Sequence, residues 1–229
     1  MATEDLDLRY EVKSVLPATE LARVHSWLRA HSAGFRVAYP PRAVNSLYFD
    51  SPDRLCFREN LSGIARRRKL RLRWYGDSED RIDAVLEMKC KEGLLGWKES
   101  VRIEQPLSLA GTRWSAFRHE LRSRIPQRFR LLLDLAGAPV LLVRYHRAYL
   151  VSADGLVRVT VDVDVESVDQ TRHAGARFGP RRMDEDLIVL EVKGREVDRP
   201  AVEHVLAGWP LRVSRNSKFA RGMATHEIV

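Results

Sequence analysis

The sequence predicts an α+β protein: one eight-stranded antiparallel β-barrel forming a tunnel with a charged interior, flanked by helices. Three observations lead there. Eight segments alternate apolar and polar residues with the period of two that marks half-buried strands. The connections between them are mostly too short for parallel crossovers, which favours antiparallel pairing. On segment after segment the polar face is built from charged residues, with almost no Ser, Asn or Gln.

Taken in order, the first strand spans Leu8–Val15, where Glu11 and Lys13 share a face. A helix follows over Thr19–His31, with Leu21, Val24 and Leu28 on one side behind a Thr19 cap. Val44–Asp50 is the second strand, and a short helix after Ser51-Pro52 starts with Pro52 at its first position. Lys69–Tyr75 sets Lys69, Arg71 and Arg73 opposite Leu70, Leu72 and Trp74. In Val85–Lys91, Glu87, Lys89 and Lys91 alternate with Leu86, Met88 and Cys90, so Cys90 reads as a packed thiol. Trp97–Ile103 places Lys98 and Arg102 on one face around Ser100. Residues Thr112 to Leu135 read as helical with a break at Pro126. Leu141–Val151 carries Arg147 two residues from Tyr145 and from Tyr149. The turn Ala153-Asp154-Gly155 leads into Leu156–Asp164, where Arg158, Thr160, Asp162 and Asp164 alternate with valines. Leu187–Lys193 sets Glu191 and Lys193 against Leu190 and Val192, and a last helix runs from Asp198-Arg199-Pro200 to about Gly208.

Composition bounds the rest. In 229 residues, 45% are hydrophobic and the formal net charge is +8, which excludes wholesale disorder. No Pro/Gly/Ser-rich linker or repeat divides the chain, so residues 1–229 read as a single domain. The basic residues are 32 Arg and 7 Lys. Such an excess of Arg suits an anionic partner, and biased composition would produce it equally well, so placement has to decide. Two cysteines, Cys56 and Cys90, make neither a disulfide framework nor a zinc motif. There is no P-loop or Rossmann glycine pattern. The N-terminus is acidic without an apolar run, and Leu131–Val143 is broken by Asp134 and Pro139. A soluble, cytoplasmic protein is expected.

Charged faces on an antiparallel sheet are commonly its wet side. Against that reading, Glu-x-Lys recurs three times in strand-like segments, at Glu11/Lys13, Glu87/Lys89 and Glu191/Lys193. The apolar faces also need partners, which the helices can supply from outside. A closed barrel with an inverted pattern satisfies both, and closure removes the sheet edges. An interior rich in Lys and Arg would repel itself if empty, and so implies counter-carboxylates, water and a multiply charged anion. The same glutamates offer hard oxygen ligands to Mg²⁺ or Mn²⁺.

With the strands placed, the chain resembles the vacuolar transporter chaperone (VTC) polyphosphate polymerase domain of the CYTH-like triphosphate tunnel metalloenzyme superfamily. The resemblance runs in order through Arg9-Tyr10-Glu11-Val12-Lys13, Ser46-Leu47-Tyr48-Phe49-Asp50, Lys69-Leu70-Arg71-Leu72-Arg73, Leu86-Glu87-Met88-Lys89, Tyr145-His146-Arg147-Ala148-Tyr149, Val157-Arg158-Val159, Leu190-Glu191-Val192-Lys193 and Ser214-Arg215-Asn216-Ser217-Lys218-Phe219. It implies a metal-dependent transferase that moves the ATP γ-phosphoryl group onto a growing polyphosphate chain inside the tunnel, the product leaving by the far mouth. Lys13, Arg71, Arg73, Lys89, Arg147, Arg158 and Lys218 would act on the phosphates, with Arg9, Lys91, Lys193 and Arg215 as further substrate contacts. Glu191 would hold Mn²⁺ or Mg²⁺, with Glu87 and Glu11 as additional carboxylates.

Two departures from the resemblance bear on function. Hydrolytic relatives usually begin Glu-x-Glu-x-Lys, and here the first Glu position is Arg9. Arg215 stands where the family often has Lys. Alternatives of the same fold are a tripolyphosphate or nucleoside triphosphate hydrolase and a non-catalytic polyphosphate sensor. ATP or triphosphate and polyphosphate are the expected partners, with no nucleic acid, since that reading rests on net charge alone. The resemblance allows a membrane-protein partner that accepts the product.

Overall fold

The computed structural model describes residues 8–93, 95–183, 186–207, 212–214 and 216–227. Its strands are β1 (Arg9–Pro17), β2 (Arg36–Asp50), β3 (Arg66–Tyr75), β4 (Arg81–Ile82), β5 (Ala84–Glu92), β6 (Leu95–Arg102), β7 (Leu107–Ser108), β8 (Ala138–Val151), β9 (Arg158–Asp169), β10 (Arg182–Met183) and β11 (Leu187–Arg195). The helices are α1 (Leu21–Ala30), α2 (Leu55–Leu61), α3 (Trp114–Ser123), α4 (Gln127–Ala136), α5 (Arg199–Ala207) and α6 (Lys218–Glu227). Hydrogen bonding runs β9-β11-β1-β6-β5-β3-β2-β8 and closes through β8–β9, every pair antiparallel. The eight-stranded barrel expected from the alternation is the one observed. Each expected strand lies within a barrel strand or overlaps it.

The apolar faces point outward, as an inverted barrel requires. Leu70, Leu72, Trp74, Leu86 and Met88 pack under α3 and α4 through Phe117, Leu121, Phe129 and Leu133. Val157, Val159, Val161, Leu190 and Val192 pack under α1 and α5 through Val24, Leu28, Val202 and Val205. Burying side chains of this size contributes about 1.5–3 kcal/mol each, which offsets the cost of gathering charge inside.

The interior is not charged throughout. Inward-facing Val44, Tyr48, Leu141, Val143, Tyr145 and Val165 form a third apolar cluster with Phe219 and Met223 of α6 and Phe57 of α2. Helix α6 therefore packs on the inner face of β2, β8 and β9 at one end. Gly222 is needed there, because a Cβ would sit 2.7 Å from Leu141 and 3.2 Å from Ser167. Along β2 and β8 the charged lining of the expected tunnel gives way to this apolar cluster. A helix at this point was not foreseen, because its apolar residues Phe219 and Met223 are too few to stand out as a periodic stripe.

Other local expectations need correction. Asp164 does not continue the inward face of β9. It lies at a positive φ of 52° beside a register shift and is exposed, so the parity flips and Val165 turns inward. Pro52 lies in a turn, and α2 begins at Leu55. Its N-terminus is held by Asp50, which is 1% exposed: Oδ1 accepts from the Ser51 and Cys56 N–H groups and Oδ2 from Phe57. Thr19 does not cap α1, which follows a short 3₁₀ turn and starts after Glu20.

Because Asp50 satisfies three backbone donors at a buried site, Asp50→Ala should cost about 2 kcal/mol of unfolding free energy. Denaturant titration checks this, and a loss below about 0.5 kcal/mol would mean that the carboxylate does not hold α2.

Candidate functional site

The site grows from the register of two strands. β1 and β11 pair so that Glu11 lies opposite Lys193 and Lys13 opposite Glu191. Two Glu-x-Lys segments running antiparallel thus place each carboxylate across from an ammonium, the favourable cross-strand arrangement. Lys13 Nζ bridges both acids, at 2.6 Å from Glu11 Oε1 and 2.6 Å from Glu191 Oε1. Lys193 Nζ lies 3.0 Å from Glu191 Oε2, and Arg147 NH2 lies 3.7 Å from the same oxygen. Burial raises the Glu191 carboxyl, and Lys13, Lys193 and Arg147 outweigh it, leaving it well below the usual carboxylate range. For Glu11, burial and the Glu191 charge push upward while Lys13 and Lys89 prevail, so its carboxyl is also lowered.

Across β3, β5 and β6 the register does the opposite. Lys69 pairs with Lys89, and Lys89 pairs with Lys98. Like charges directly opposite one another destabilise a sheet, and here three stand in a row on the inner face. Burial, with Lys89, Lys13 and Arg71 nearby, pushes the Lys69 ammonium well below its ordinary range. Glu11 raises Lys89, but burial together with Lys13 and Arg71 lowers it further, to about 8. The next row is relieved by Glu87, whose Oε2 accepts from Arg71 Nε at 2.8 Å and lies 3.7 Å from Arg73, while Oε1 accepts from Lys98 at 2.9 Å. Among the described residues, Arg73 Nε is buried with no hydrogen-bond partner.

On the remaining wall, Arg147 grips Asp162 with both ends of its fork, Nε to Oδ1 at 2.5 Å and NH2 to Oδ2 at 2.7 Å. Lys218, the first residue of α6, reaches the same carboxylate. Thr160 and Glu191 lie alongside at 3.5 Å. Tyr145 stands beneath the cations Arg147 and Lys218, which lie 5.2 and 4.6 Å from its ring centre. Burial raises its hydroxyl, but Arg147, Arg73 and Lys218 lower it more.

All seven lysines of the chain belong to this surface: Lys13, Lys69, Lys89, Lys91, Lys98 and Lys193 occupy inward strand positions, and Lys218 points in from α6. Biased composition accounts for outer arginines such as Arg23, Arg58 and Arg122, but not for this confinement. Of the residues singled out in the sequence, Lys13, Arg71, Arg73, Lys89, Arg147, Lys193, Lys218, Glu11, Glu87 and Glu191 come together. Arg9, Lys91 and Arg158 hold inward positions toward strand ends, Arg158 being exposed. Arg215 lies outside the described residues. Lys69, Lys98, Asp162 and Tyr145 were not singled out as site residues. The strand alternation already placed the first three on polar faces, and the pairing register was the missing signal.

A divalent cation fits one part of this set. Glu11 and Glu191 share Lys13 and bring hard oxygens together, and Mg²⁺ or Mn²⁺ is commonly held by one or two carboxylates plus substrate phosphates. Each of the three glutamates has cations on both oxygens: Lys13 and Lys89 on Glu11, Lys13 and Lys193 on Glu191, and Arg71 and Lys98 on Glu87. Among the described residues no three carboxylate, His or Cys side chains gather as a metal cluster. No helix among them is long and apolar enough to cross a membrane.

A family model described as the VTC domain matches residues 8–226. No curated protein shows significant sequence similarity to the chain. Among solved structures, an adenylate cyclase candidate from Vibrio parahaemolyticus superposes with a TM-score of 0.54 at 12% identity, covering 96% of this chain and 99% of that one. An adenylyl cyclase candidate from Hippeastrum, described as having a dominant triphosphatase activity, gives 0.48 at 16% identity, covering 95% of each chain. The Schizosaccharomyces pombe Mediator head module gives 0.49 at 10% identity, over 90% of this chain and 97% of that one. At 12% identity the likeness to the first of these is one of fold.

The crowded lysines give a pH signature. Folded Lys89 loses its proton as pH rises past about 8, whereas an unfolded lysine keeps it to about 10.5. Between those values the unfolded chain binds more protons, so the stability of the free protein should rise with pH across that window. A polyanion on the same lysines restores their charge. Calorimetry of tripolyphosphate binding at about pH 8.5, in two buffers of different ionisation enthalpy, should show net proton uptake. Binding without uptake would place the anion away from Lys69 and Lys89.

Proposed function

The chain belongs to the VTC domain family, and on that premise we propose that it is a metal-dependent polyphosphate polymerase using ATP. The observation that carries this reading is the row Lys69–Lys89–Lys98 on a closed inner wall, a gathering of basic groups that Glu11 and Glu87 offset only in part and that a polyanion would complete. In the reaction a terminal polyphosphate oxygen attacks the ATP γ-phosphorus, the β–γ bridging P–O bond breaks, and ADP leaves as the chain grows by one phosphate.

Such a transfer asks little covalent chemistry of the protein, and positioning with charge neutralisation is most of the catalysis. Arg71, Arg73 and Arg147 offer planar forks to phosphate oxygens, and Glu87 and Asp162 fix the directions of those forks before ligand arrives. Lys13, Lys69, Lys89 and Lys218 supply point charges that oppose the charge spread over the transferring group. Glu11 and Glu191 would hold Mn²⁺ or Mg²⁺, which would supply positive charge against the phosphates. Arg9, in place of a further carboxylate, favours holding phosphate over activating water.

A second reading, hydrolysis of a triphosphate, draws on α6. The cluster of Phe219 and Met223 with Tyr48, Val143 and Tyr145 fills one end of the inner face, which suits a short ligand better than a long polymer passing through.

Purified protein with ATP and Mn²⁺ should yield chains longer than triphosphate, seen by gel or ³¹P NMR. A product of orthophosphate alone would replace the first reading with the second. Arg71→Ala should lower turnover by at least about a hundredfold while thermal unfolding stays cooperative, because Arg73 and Lys98 still hold Glu87. Turnover within about threefold of the parent would remove Arg71 from the site. Glu191→Gln should weaken metal dependence more than triphosphate affinity.

A further inference from the structure

Beyond the phosphate-binding wall, the inner face of the barrel ends in aromatic residues. β3 and β8 both carry Arg-x-Tyr on their inward faces, as Arg73/Tyr75 and Arg147/Tyr149. The period of two that turns the arginines inward turns the tyrosines inward as well, about 6.5–7 Å further along the strand. β2 runs between these strands and adds Arg42, opposite Arg147, and Tyr39, opposite Tyr149. Along β2 and β8 these residues lie at the end opposite the α6 cluster, which begins at Val44 and Tyr145.

The geometry is that of a rim of π-surfaces. The Arg42 guanidinium carbon lies 4.1 Å from the Tyr75 ring centre, 5.0 Å from Tyr149 and 5.6 Å from Tyr39. Tyr39 and Tyr149 meet edge to face at 5.8 Å. Pro40 and Pro41 lie between Tyr39 and Arg42, where the ladder with β8 shifts register. Proline fixes its own φ and donates no hydrogen bond, and irregularities of this kind at barrel rims re-aim side chains. Tyr39 is 58% exposed and Tyr75 42%, unusual for rings with no apolar core to join.

We propose that Tyr39, Tyr75 and Tyr149 around Arg42 form a stacking subsite for the nucleobase of a nucleoside triphosphate whose phosphates lie on the basic wall. The inference rests on the triphosphate reading and adds to it a preference for nucleotide over bare tripolyphosphate. Flat guanidinium and phenol faces accept any base by its π-face, so the subsite favours a large purine without reading its edge. The Arg-x-Tyr spacing divides the ligand chemically: phosphate oxygens meet Arg73 and Arg147, and the base meets the tyrosines one step beyond.

The test is binding without turnover, in EDTA, of ATP and of inorganic tripolyphosphate to the parent protein, Tyr75→Ala, Tyr39→Ala and Tyr75→Phe. Each alanine variant should weaken ATP roughly tenfold and leave tripolyphosphate within about twofold, while Tyr75→Phe keeps ATP affinity. Equal loss for both ligands, no loss for either, or a parent that binds tripolyphosphate but not ATP overturns the base subsite and leaves the phosphate wall standing. A parent that binds neither ligand overturns the triphosphate reading and the subsite with it.

Discussion

Closing a sheet around its own charged face is the constraint on which the rest of this molecule depends. Inside a barrel the cations cannot all turn to bulk water, so their arrangement across strands decides whether the wall is tolerable. The β1–β11 register sets acid against base at Glu11/Lys193 and Lys13/Glu191, and the wall there is largely self-neutralising. The β3–β5–β6 register sets Lys69, Lys89 and Lys98 abreast; Glu87 beside them serves Lys98 and two arginines, and Glu11 reaches Lys89 from β1 at 3.4 Å. One side of the interior is thus complete in itself, and the other is charged in a way that a bound polyanion completes.

The outer helices make that strain sustainable. Two separate apolar cores, under α3 and α4 on one side and α1 and α5 on the other, clamp the barrel from outside. The cores and the charged wall take alternate residues of the same strands, so the requirements of folding and of ligand binding fall on different side chains. That separation lets Arg71 and Arg73 be built for anions while Leu70, Leu72 and Trp74 between them are built for packing.

Helix α6 breaks this symmetry. It brings apolar residues to the inner face, ends the charged surface near Tyr145, and contributes Lys218 to Asp162 in the same turn that packs Phe219. The interior therefore has direction along β2 and β8, from the aromatic rim through Arg42 and Arg147 to the apolar cluster, with Arg73, Arg71 and Lys69 alongside on β3. A ligand with a flat end and a polyanionic tail matches that order.

Much of this was legible before any coordinates. Alternation with a period of two fixes which residues share a face, and it separated Lys69, Arg71 and Arg73 from Leu70, Leu72 and Trp74 correctly. It could not fix register, because sliding one strand by two residues preserves every face while changing every partner. Whether Glu87 meets Arg71, and whether Lys69 faces an acid or another lysine, is decided only by pairing. Nor could it see the bulge at Asp164, where one residue at positive φ reverses the parity of the strand beyond it. The sequence by itself determined the strands, their charged and apolar sides, and the identity of most of the wall. Tertiary structure alone decided which charges neutralise one another, where α6 ends the interior, and that the two Arg-x-Tyr segments flank Arg42. Those are contacts between residues far apart in the chain, and local periodicity carries no information about them.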